Sequence, residues 1–446
     1  MTPGARLQAA IDLLSEIHAG TAPADRAAAA FFRHRRYIGG ADRRAIIDRI
    51  YAVLHRRAVL DWWIDRVLPG AALAGRDRLR MIASLALVEG WSPDRIAGAF
   101  DGGRYRPAPL DATEKLLSNG LAGRRLEDPE QPDWVRFEIP DWLESDLRAA
   151  LGPRFAEEMT RLREEAAVDL RVNLLKASRK QVVAALGAEG IEAEPTKLSP
   201  VGLRVHGRPP LAALDCFRRG LFEVQDEGSQ LVALLTDARP GMRVVDFCAG
   251  AGGKTLALAA TMRNRGHIVA CDVLRGRVER AAIRIRRAGV HNVERRGLRS
   301  EHDQWVKRHA GGFDRVLVDA PCTGSGTWRR NPDAKWRLRP PDLDQFVSLQ
   351  RRILDSTCRL VKPGGRLIYA TCSLLPAENE AQLARFATAH AEFGVLPVTN
   401  VWNEAVGGPY PGQGPTLSLT PARHGTDGFF IAILERRPPD TVGSPS

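Results

Sequence analysis

Apolar side chains recur at every third or fourth position through residues 5–118, in LQAAIDLLSEI (7–17), RRAIIDRIYAVLHRRAVLDWWI (43–64) and RDRLRMIASLALVEGW (76–91). That period predicts helices, separated here by Gly and Pro breaks. Residues 119–140, rich in Pro, Asp and Gly, read as a linker. The pattern then shortens. Val168 to Leu175 predicts a strand, Ser178 caps a helix through Leu186, and short strands follow near 191–194 and 203–205. From Gly241 strand and helix alternate: MRVVDF (242–247), a helix from Lys254, HIVACD (267–272), a helix through Gly289, and a weaker strand near 292–296. Strands at 314–318, 366–371 and 429–435 complete what reads as an α/β fold built on a doubly wound parallel sheet.

With 446 residues the chain exceeds one ordinary core, and the pattern divides it into a helical domain (1–135), a small α+β unit (136–225), an α/β domain (226–436) and a disordered tail (437–446). Lys and Arg number 65 against 53 Asp and Glu, a net charge of +12 that favours a polyanionic partner. The charge is concentrated. Residues 31–57 hold eight arginines against Asp42 and Asp48, and 275–308 hold eleven Arg or Lys against four acids. The helix Arg43 to Arg57 places Ile46, Ile47, Ile50, Val53 and Leu54 on one face and arginines around the rest, which suits either RNA contact or a solvated surface. The start, MTPGARLQAAIDLL, reads as an amphipathic helix rather than a secretory signal, and no run approaches 18 apolar residues. The six cysteines (216, 248, 271, 322, 358, 372) form no CxxC pair and are expected to be reduced, in the cytoplasm. No metal-ligand spacing is visible among the ten histidines.

Two of those cysteines stand where open α/β sheets build sites. Cys322 ends RVLVDAPC (315–322) and Cys372 follows RLIYAT (366–371), so both leave the carboxyl ends of predicted strands. A lone buried cysteine is usually inert; two at neighbouring strand ends suggest a shared substrate. The first strand of the α/β domain ends in a glycine turn, Asp246-Phe247-Cys248-Ala249-Gly250-Ala251-Gly252-Gly253-Lys254. It fits neither GxGxxG nor the phosphate loop GxxxxGK[ST]. A carboxylate, Asp272, ends the second strand, where it can accept both hydroxyls of a ribose. Turn and acid together imply an adenosine-type ligand, with a nicotinamide dinucleotide and S-adenosylmethionine both satisfying that much. The sequence Asp319-Ala320-Pro321-Cys322 favours the second. Carbon 5 of cytosine becomes nucleophilic only after a thiolate adds at carbon 6, and a cysteine supplies that thiolate. Spacing alone leaves either Cys322 or Cys372 as the attacker.

Seven separated motifs now resemble the RsmB/Sun/Nop family of S-adenosylmethionine-dependent RNA 5-cytosine methyltransferases. They are RVNLLK (171–176), FEVQDEGSQL (222–231), DFCAGAGGKT (246–255), CDVLRGRV (271–278), DRVLVDAPCTGSGTWRRNPD (314–333), ATCSLLPAENE (370–380) and DGFFIA (427–432). The resemblance implies a Rossmann-like class I methyltransferase domain, preceded by an RRM-like α+β unit and a NusB-like helical domain. It implies that Cys248, Ala249, Gly250, Ala251, Gly252, Gly253 and Lys254 cradle the methionine part of S-adenosylmethionine, that Asp272 binds its ribose, and that Arg277 supports the site. Cys372 would be the nucleophile, Cys322 would help release the product, Asp319 would bond the cytosine edge beside the cofactor, and Lys254 would arrange base and cofactor. The thiolate must be favoured by its surroundings, because a free thiol is only a few per cent ionised near neutrality. No metal is implied. Ribosomal RNA is the expected partner, with transfer RNA and a non-catalytic, RNA-binding assembly role as alternatives, and a monomer is expected. The mixture of aromatic and basic residues in TWRRNPDAKWRLRP (327–340) reads as an RNA-contacting loop, with a packed loop as the alternative. Two departures stand out. The family's usual CAAPGGK reads CAGAGGK here, and the stretch 297–303 puts no carboxylate where the family contacts adenine, leaving Asp303 or a backbone amide as substitutes.

Overall fold

The computed structural model describes residues 1–70, 72 and 75–438, so the expected disordered tail lies, from residue 439 on, outside the described residues. Two compact units divide the chain: Met1–Arg163 with Trp328–Leu338, and Glu164–Thr327 with the residues from Arg339 onward.

Helices build the first unit, among them Pro3–Ala19, Gly40–His55, Arg57–Val67 and Arg76–Leu87. Their ends follow the local chemistry: Thr2 accepts from the amide of Ala5 with Pro3 in the first turn, and Asp111 and Glu114 form a reciprocal capping box. Leu13, Leu14, Ile46, Leu54, Leu60, Trp63 and Ile82 fill the core. The stretch 119–140 is not a linker. Val135, Glu138 and Ile139 are buried, and the Glu138 carboxylate accepts from the amides of Ala58 (2.9 Å) and Val59 (3.0 Å), capping the helix Arg57–Val67. Its polar composition serves a helix that lies 80 positions earlier in the chain. Burial pushes the Glu138 carboxyl up and the buried Lys335 ammonium down, and the attraction between them opposes both shifts.

The segment 328–338 is likewise packed rather than presented as a stacking loop. Trp328, Arg329, Asp333 and Lys335 are buried. Asp333 accepts from the amide of Ala24 (3.1 Å), and Arg337 donates to the carbonyl of Ala22 (2.9 Å). Alternating aromatic and basic residues can serve a packed interior as well as RNA, and Trp328, Arg329 and Lys335 do the former.

The second unit contains two sheets. Strands β1 (Val168–Val172), β2 (Ala193–Pro195), β3 (Gly202–Val205) and β4 (Phe222–Val224) form an antiparallel sheet of order β2-β3-β1-β4. Ser178 and Gln181 cap its helix, Arg179–Ala188, as a capping box. The larger sheet comprises β5 (Arg243–Asp246), β6 (His267–Asp272), β7 (Val293–Gly297), β8 (Phe313–Asp319), β9 (Val361–Thr371), β10 (Phe393–Leu396), β11 (Leu417–Leu419) and β12 (Phe429–Arg436). Its order is β10-β12-β9-β8-β5-β6-β7, with β11 also paired to β12. Five strands, β5 to β9, run parallel, whereas β12 lies antiparallel to β9 and β10. The last strand therefore departs from an all-parallel sheet, because antiparallel neighbours need no helical crossover between them. Successive residues of the central strands serve opposite faces: Val244, Ile268, Leu317 and Ile368 enter one core, Val245, Val269, Val318 and Leu367 the other. Chain order reverses at β5, which has β6 on one side and β8 on the other, so a crevice opens beyond the carboxyl ends of β5 and β8.

Candidate active site

That crevice receives the loops after β5, β6, β8 and β9. After β5, the chain turns through Gly250 (φ 55°) and Gly252 (φ 80°) into the helix Gly253–Thr261. Glycine is needed at Gly252, where an added Cβ would stand 3.1 Å from the Ala281 side chain as well as in a left-handed conformation. Asp272, at the end of β6, accepts from the amide of Gly250 (2.9 Å) through one oxygen and from that of Leu274 (2.7 Å) through the other. The acid thus sets the turn while keeping lone pairs available. Below the turn, Asp246 accepts from the Thr255 hydroxyl (2.7 Å), and its second carboxylate oxygen is buried without a partner.

Two arginines grip this loop that the motif reading did not single out. Arg171 of β1 donates to the carbonyl of Gly253 (2.6 Å), and Arg284 donates to that of Ala251 (2.9 Å) while pairing with Glu223 of β4 (3.0 Å). Both lie in or near quoted motifs, RVNLLK and CDVLRGRV, but their targets are backbone carbonyls, which leave no trace in a sequence. Burial pushes the Arg171 guanidinium down to about 10, with Glu223 opposing that shift. Arg277 is exposed in the first turn of the helix Arg275–Ala288. Asp303 uses both oxygens locally, accepting from the amides of Trp305 (2.9 Å) and Arg299 (3.0 Å), so it caps the helix Gln304–Arg308.

After β8 and β9 come the thiols. Cys322 and Cys372 stand 3.4 Å apart, sulfur to sulfur. Lys254, from the first turn of the loop helix, pairs with Asp319 at 2.6 Å. Burial acts to lower the Lys254 ammonium, but Asp319, with Cys372 adding to it, wins and holds it above its ordinary value. The hydrogen bond that Cys322 donates to Cys372, then burial, then the charges of Cys372 and Glu378 hold the Cys322 thiol well above the ordinary range. Cys248 is also pushed up, by burial first and by Asp319, Asp272 and Asp246 after it. Cys248, Asp272, Lys254, Asp319, Cys322 and Cys372 are thus brought to one crevice. Cys216 and Cys358 are buried elsewhere, and Cys271 is buried in β6 next to Asp272, its carbonyl accepting from the amide of Ala249 (2.9 Å). Among the described residues no three His, Cys, Asp or Glu side chains group as a metal site.

The loop fits a small ligand bearing an amino acid moiety. A side chain built on Gly250 would meet nothing within 4 Å, so the backbone borders open space there. The Asp272 carboxylate, with lone pairs left beyond its two amide bonds, suits the hydroxyls of such a ligand, whereas Asp246 is fully buried below the turn. Asp246 also carries a measurable cost. Burial raises its carboxyl to about 7 from an ordinary 3.8, so the folded protein binds a proton that the unfolded chain releases near pH 4. Stability contributed by the neutral form is lost as pH rises from about 4 to about 7, an effect of order 4 kcal/mol. Asp246→Asn is expected to stabilise the cofactor-free protein at pH 8 by about 2 kcal/mol once an unpaired amide N–H is counted, read as a higher melting temperature. The gain should shrink toward pH 5. Parallel melting curves for variant and native protein across that range would refute the assignment.

A Rossmann-like sheet, a glycine turn with a strand-end acid, and paired cysteines at neighbouring strand ends fit a methyltransferase. Comparison with known proteins agrees. Residues 233–435 match the family profile described as 16S rRNA methyltransferase RsmB/F, and 139–212 match the ferredoxin-like domain of RsmF/B-like methyltransferases. The probable ribosomal RNA small subunit methyltransferase B of Synechocystis sp. is 31% identical over 414 residues, 89% of this chain and 91% of that protein. The ribosomal RNA small subunit methyltransferase B of Pasteurella multocida is 35% identical over 331 residues, 72% and 71% of the two chains. A methyltransferase homolog protein from Pyrococcus horikoshii superposes with a TM-score of 0.59 at 29% identity, covering 70% of this chain and 100% of its own. The chain belongs to the RsmB/F family of ribosomal RNA methyltransferases, and its cofactor is S-adenosylmethionine.

Proposed function

We propose that this enzyme forms 5-methylcytosine in small-subunit ribosomal RNA, acting as a cytoplasmic monomer through a covalent bond between Cys372 and the target base. The observation that carries the proposal is the pair of thiols 3.4 Å apart with the Lys254–Asp319 ion pair drawn from the same crevice. One thiol bonded to carbon 6 leaves the second close enough to take part in release, a geometry with no use in methylating an exocyclic nitrogen.

The residues divide the work as follows. Cys248 to Gly253 and Asp272 would hold the cofactor, with the Gly250 amide and the Asp272 carboxylate already oriented by their mutual hydrogen bond. The target cytosine leaves its stack to reach the crevice. Asp319 would accept a hydrogen bond from the cytosine edge, held in place by Lys254, while the Lys254 cation faces Cys372. Cys372 adds as thiolate to carbon 6, which moves electron density to carbon 5. S-adenosylmethionine, held by Cys248 to Gly253 and Asp272, would supply the electrophilic methyl group to carbon 5, its S–CH3 bond breaking to leave a neutral thioether. A water molecule then takes the carbon 5 proton, the electron pair of that C–H bond re-forms the 5,6 double bond, and the sulfur bond at carbon 6 breaks to return Cys372 as thiolate, with the neutral Cys322 thiol 3.4 Å away donating a hydrogen bond to the departing sulfur.

RNA of the small subunit follows from the family's ribosomal members and from the dense basic stretch at 275–308. To test it, the protein is incubated with labelled S-adenosylmethionine and small-subunit RNA, assembled or free, or transfer RNA, and the product is mapped by bisulfite sequencing. One small-subunit cytosine protected from conversion is the expected result. Label appearing in transfer RNA alone, or in a base other than cytosine, would overturn the proposal. RNA affinity should also fall steeply between 50 and 200 mM salt, by roughly a thousandfold if about six phosphates are contacted.

A further inference from the structure

One fully buried acid in the last quoted cysteine motif has no part in the chemistry above. Glu378, in ATCSLLPAENE, lies behind the two thiols, and its side chain is completely enclosed. One carboxylate oxygen accepts from the amide of Thr323 (2.9 Å) and from Gln350 (3.0 Å); the other accepts from the Thr323 hydroxyl (2.5 Å). Thr323 is the residue after Cys322. Gln350 also donates to the carbonyl of Pro321 (2.9 Å), the residue before it. Both neighbours of Cys322 are therefore held, directly or through one glutamine, by Glu378.

The same network reaches Cys372. The Thr323 hydroxyl lies 3.3 Å from that of Ser373, the residue after Cys372, and Ser373 lies 3.2 Å from the Ser325 hydroxyl. Ser325 accepts from the amide of Leu374 (2.8 Å), and the amide of Gly326 donates to the carbonyl of Cys372 itself (2.9 Å). Asn379, next to Glu378, donates to the carbonyl of Ser373 (2.9 Å) and accepts from Thr371 (2.6 Å), which precedes Cys372. Tyr369 of β9 fixes the base of the network by donating to the Glu378 carbonyl (2.6 Å). A carboxylate enclosed in an interior is costly to bury unless it is this fully bonded. An apolar packing residue would hold two loops together at lower cost, but it would not specify their separation through directed bonds.

We propose that Glu378 is a positioning residue whose buried carboxylate clamps the loop of Cys322 to the loop of Cys372 and so sets the separation of the two thiols. The consequence rests on the proposed reaction: attack by one sulfur and release assisted by the other require both to reach the same ring atoms. A displacement of about 1 Å costs on the order of a hundredfold in such a step. The loss falls on release, because Cys372 keeps its bond to the end of β9 while Cys322 sits on the loop that Glu378 holds from both sides. The charge of Glu378 adds to the forces that keep Cys322 a neutral thiol beside Cys372.

The test compares the full-length native protein with Glu378→Gln and Glu378→Ala, in two measurements. In the first, phenylarsine oxide, which bridges two thiols only when they are close, is added without RNA or cofactor, and the bridged peptides are identified by mass spectrometry. The native protein is expected to give a Cys322–Cys372 bridge, Glu378→Ala to lose it, and Glu378→Gln, which retains an acceptor of the same shape, to keep part of it. In the second, turnover with RNA is followed alongside the covalent adduct on a denaturing gel. Glu378→Ala is expected to lower kcat by roughly tenfold or more, with KM for RNA within about twofold, and to accumulate adduct although Cys322 is present. A purely structural role would lower the melting temperature and lose cofactor binding without accumulating adduct. Native-like bridging in Glu378→Ala overturns the clamp, whether or not the native protein methylates RNA. Loss of bridging in the variant, with no methyl transfer by the native protein, keeps the clamp and removes the proposed reaction.

Discussion

Cys372→Ala is expected to abolish methyl transfer, by at least roughly a thousandfold, and to form no covalent adduct, whereas Cys322→Ala is expected to attack RNA and remain bonded to it. The asymmetry follows from what each sulfur faces. Cys372 has the Lys254 ammonium near it, a cation held by Asp319, and cation and thiolate favour one another. Cys322 has Cys372 and Glu378 near it, so its proton is retained. The two sulfurs stand 3.4 Å apart, and the Lys254 cation bears on Cys372 whereas Glu378 bears on Cys322. In the proposed reaction, removing Cys322 leaves the attacking sulfur in place and takes away the group that assists its expulsion. A denaturing gel with S-adenosylmethionine and RNA reads both outcomes at once: a slow-migrating band for Cys322→Ala, absent for Cys372→Ala. The reversed pattern would assign attack to Cys322, the arrangement that spacing alone had left open.

The parts of this site carried by the chain's own periodicity were legible. Short aliphatic runs over 242–247, 267–272, 314–318 and 366–371 predicted strands, and β5, β6, β8 and β9 end within one residue of those bounds, at Asp246, Asp272, Asp319 and Thr371. Glycines 250 and 252 marked a turn because both adopt positive φ. What failed or went unseen depended on contacts between residues distant in sequence. The stretch 119–140 read as a linker from its Pro and Asp content, while its Glu138 caps a helix in the same unit. The aromatic and basic run after Thr327 read as a nucleic-acid loop, yet Trp328 and Lys335 are buried. Composition reports that such residues need partners and is silent on whether those partners are protein or RNA. Arg171, Arg284 and Glu378 were invisible as site residues for a related reason: they bond backbone groups or buried hydroxyls, and no spacing rule encodes those. The antiparallel β12 escaped because a hydrophobic strand carries no mark of its direction.

Replacing Asp319 by asparagine is expected to cost about a hundredfold in single-turnover methyl transfer and, more tellingly, to reverse the effect of raising the pH. In the native protein burial tends to lower the Lys254 ammonium, and the Asp319 carboxylate 2.6 Å away overcomes that tendency. The sign follows directly. With its value raised above 10.5, Lys254 stays charged throughout the neutral and mildly alkaline range, and its favourable interaction is lost only as pH climbs past that raised value. With Asp319→Asn the opposing charge is gone, burial prevails, and Lys254 becomes neutral below 10.5, within reach of assay. Native activity should therefore not fall between pH 7 and pH 9.5, where the cation is retained, while the residual activity of Asp319→Asn should fall as the cation beside Cys372 disappears. Lys254→Met serves as the control, because it lacks the cation at every pH: it should show a comparable loss at pH 9.5 without the decline from pH 7. Profiles for Asp319→Asn and native protein that run parallel, differing only in height, would mean that Asp319 acts on the base alone and that the charge of Lys254 does not depend on it.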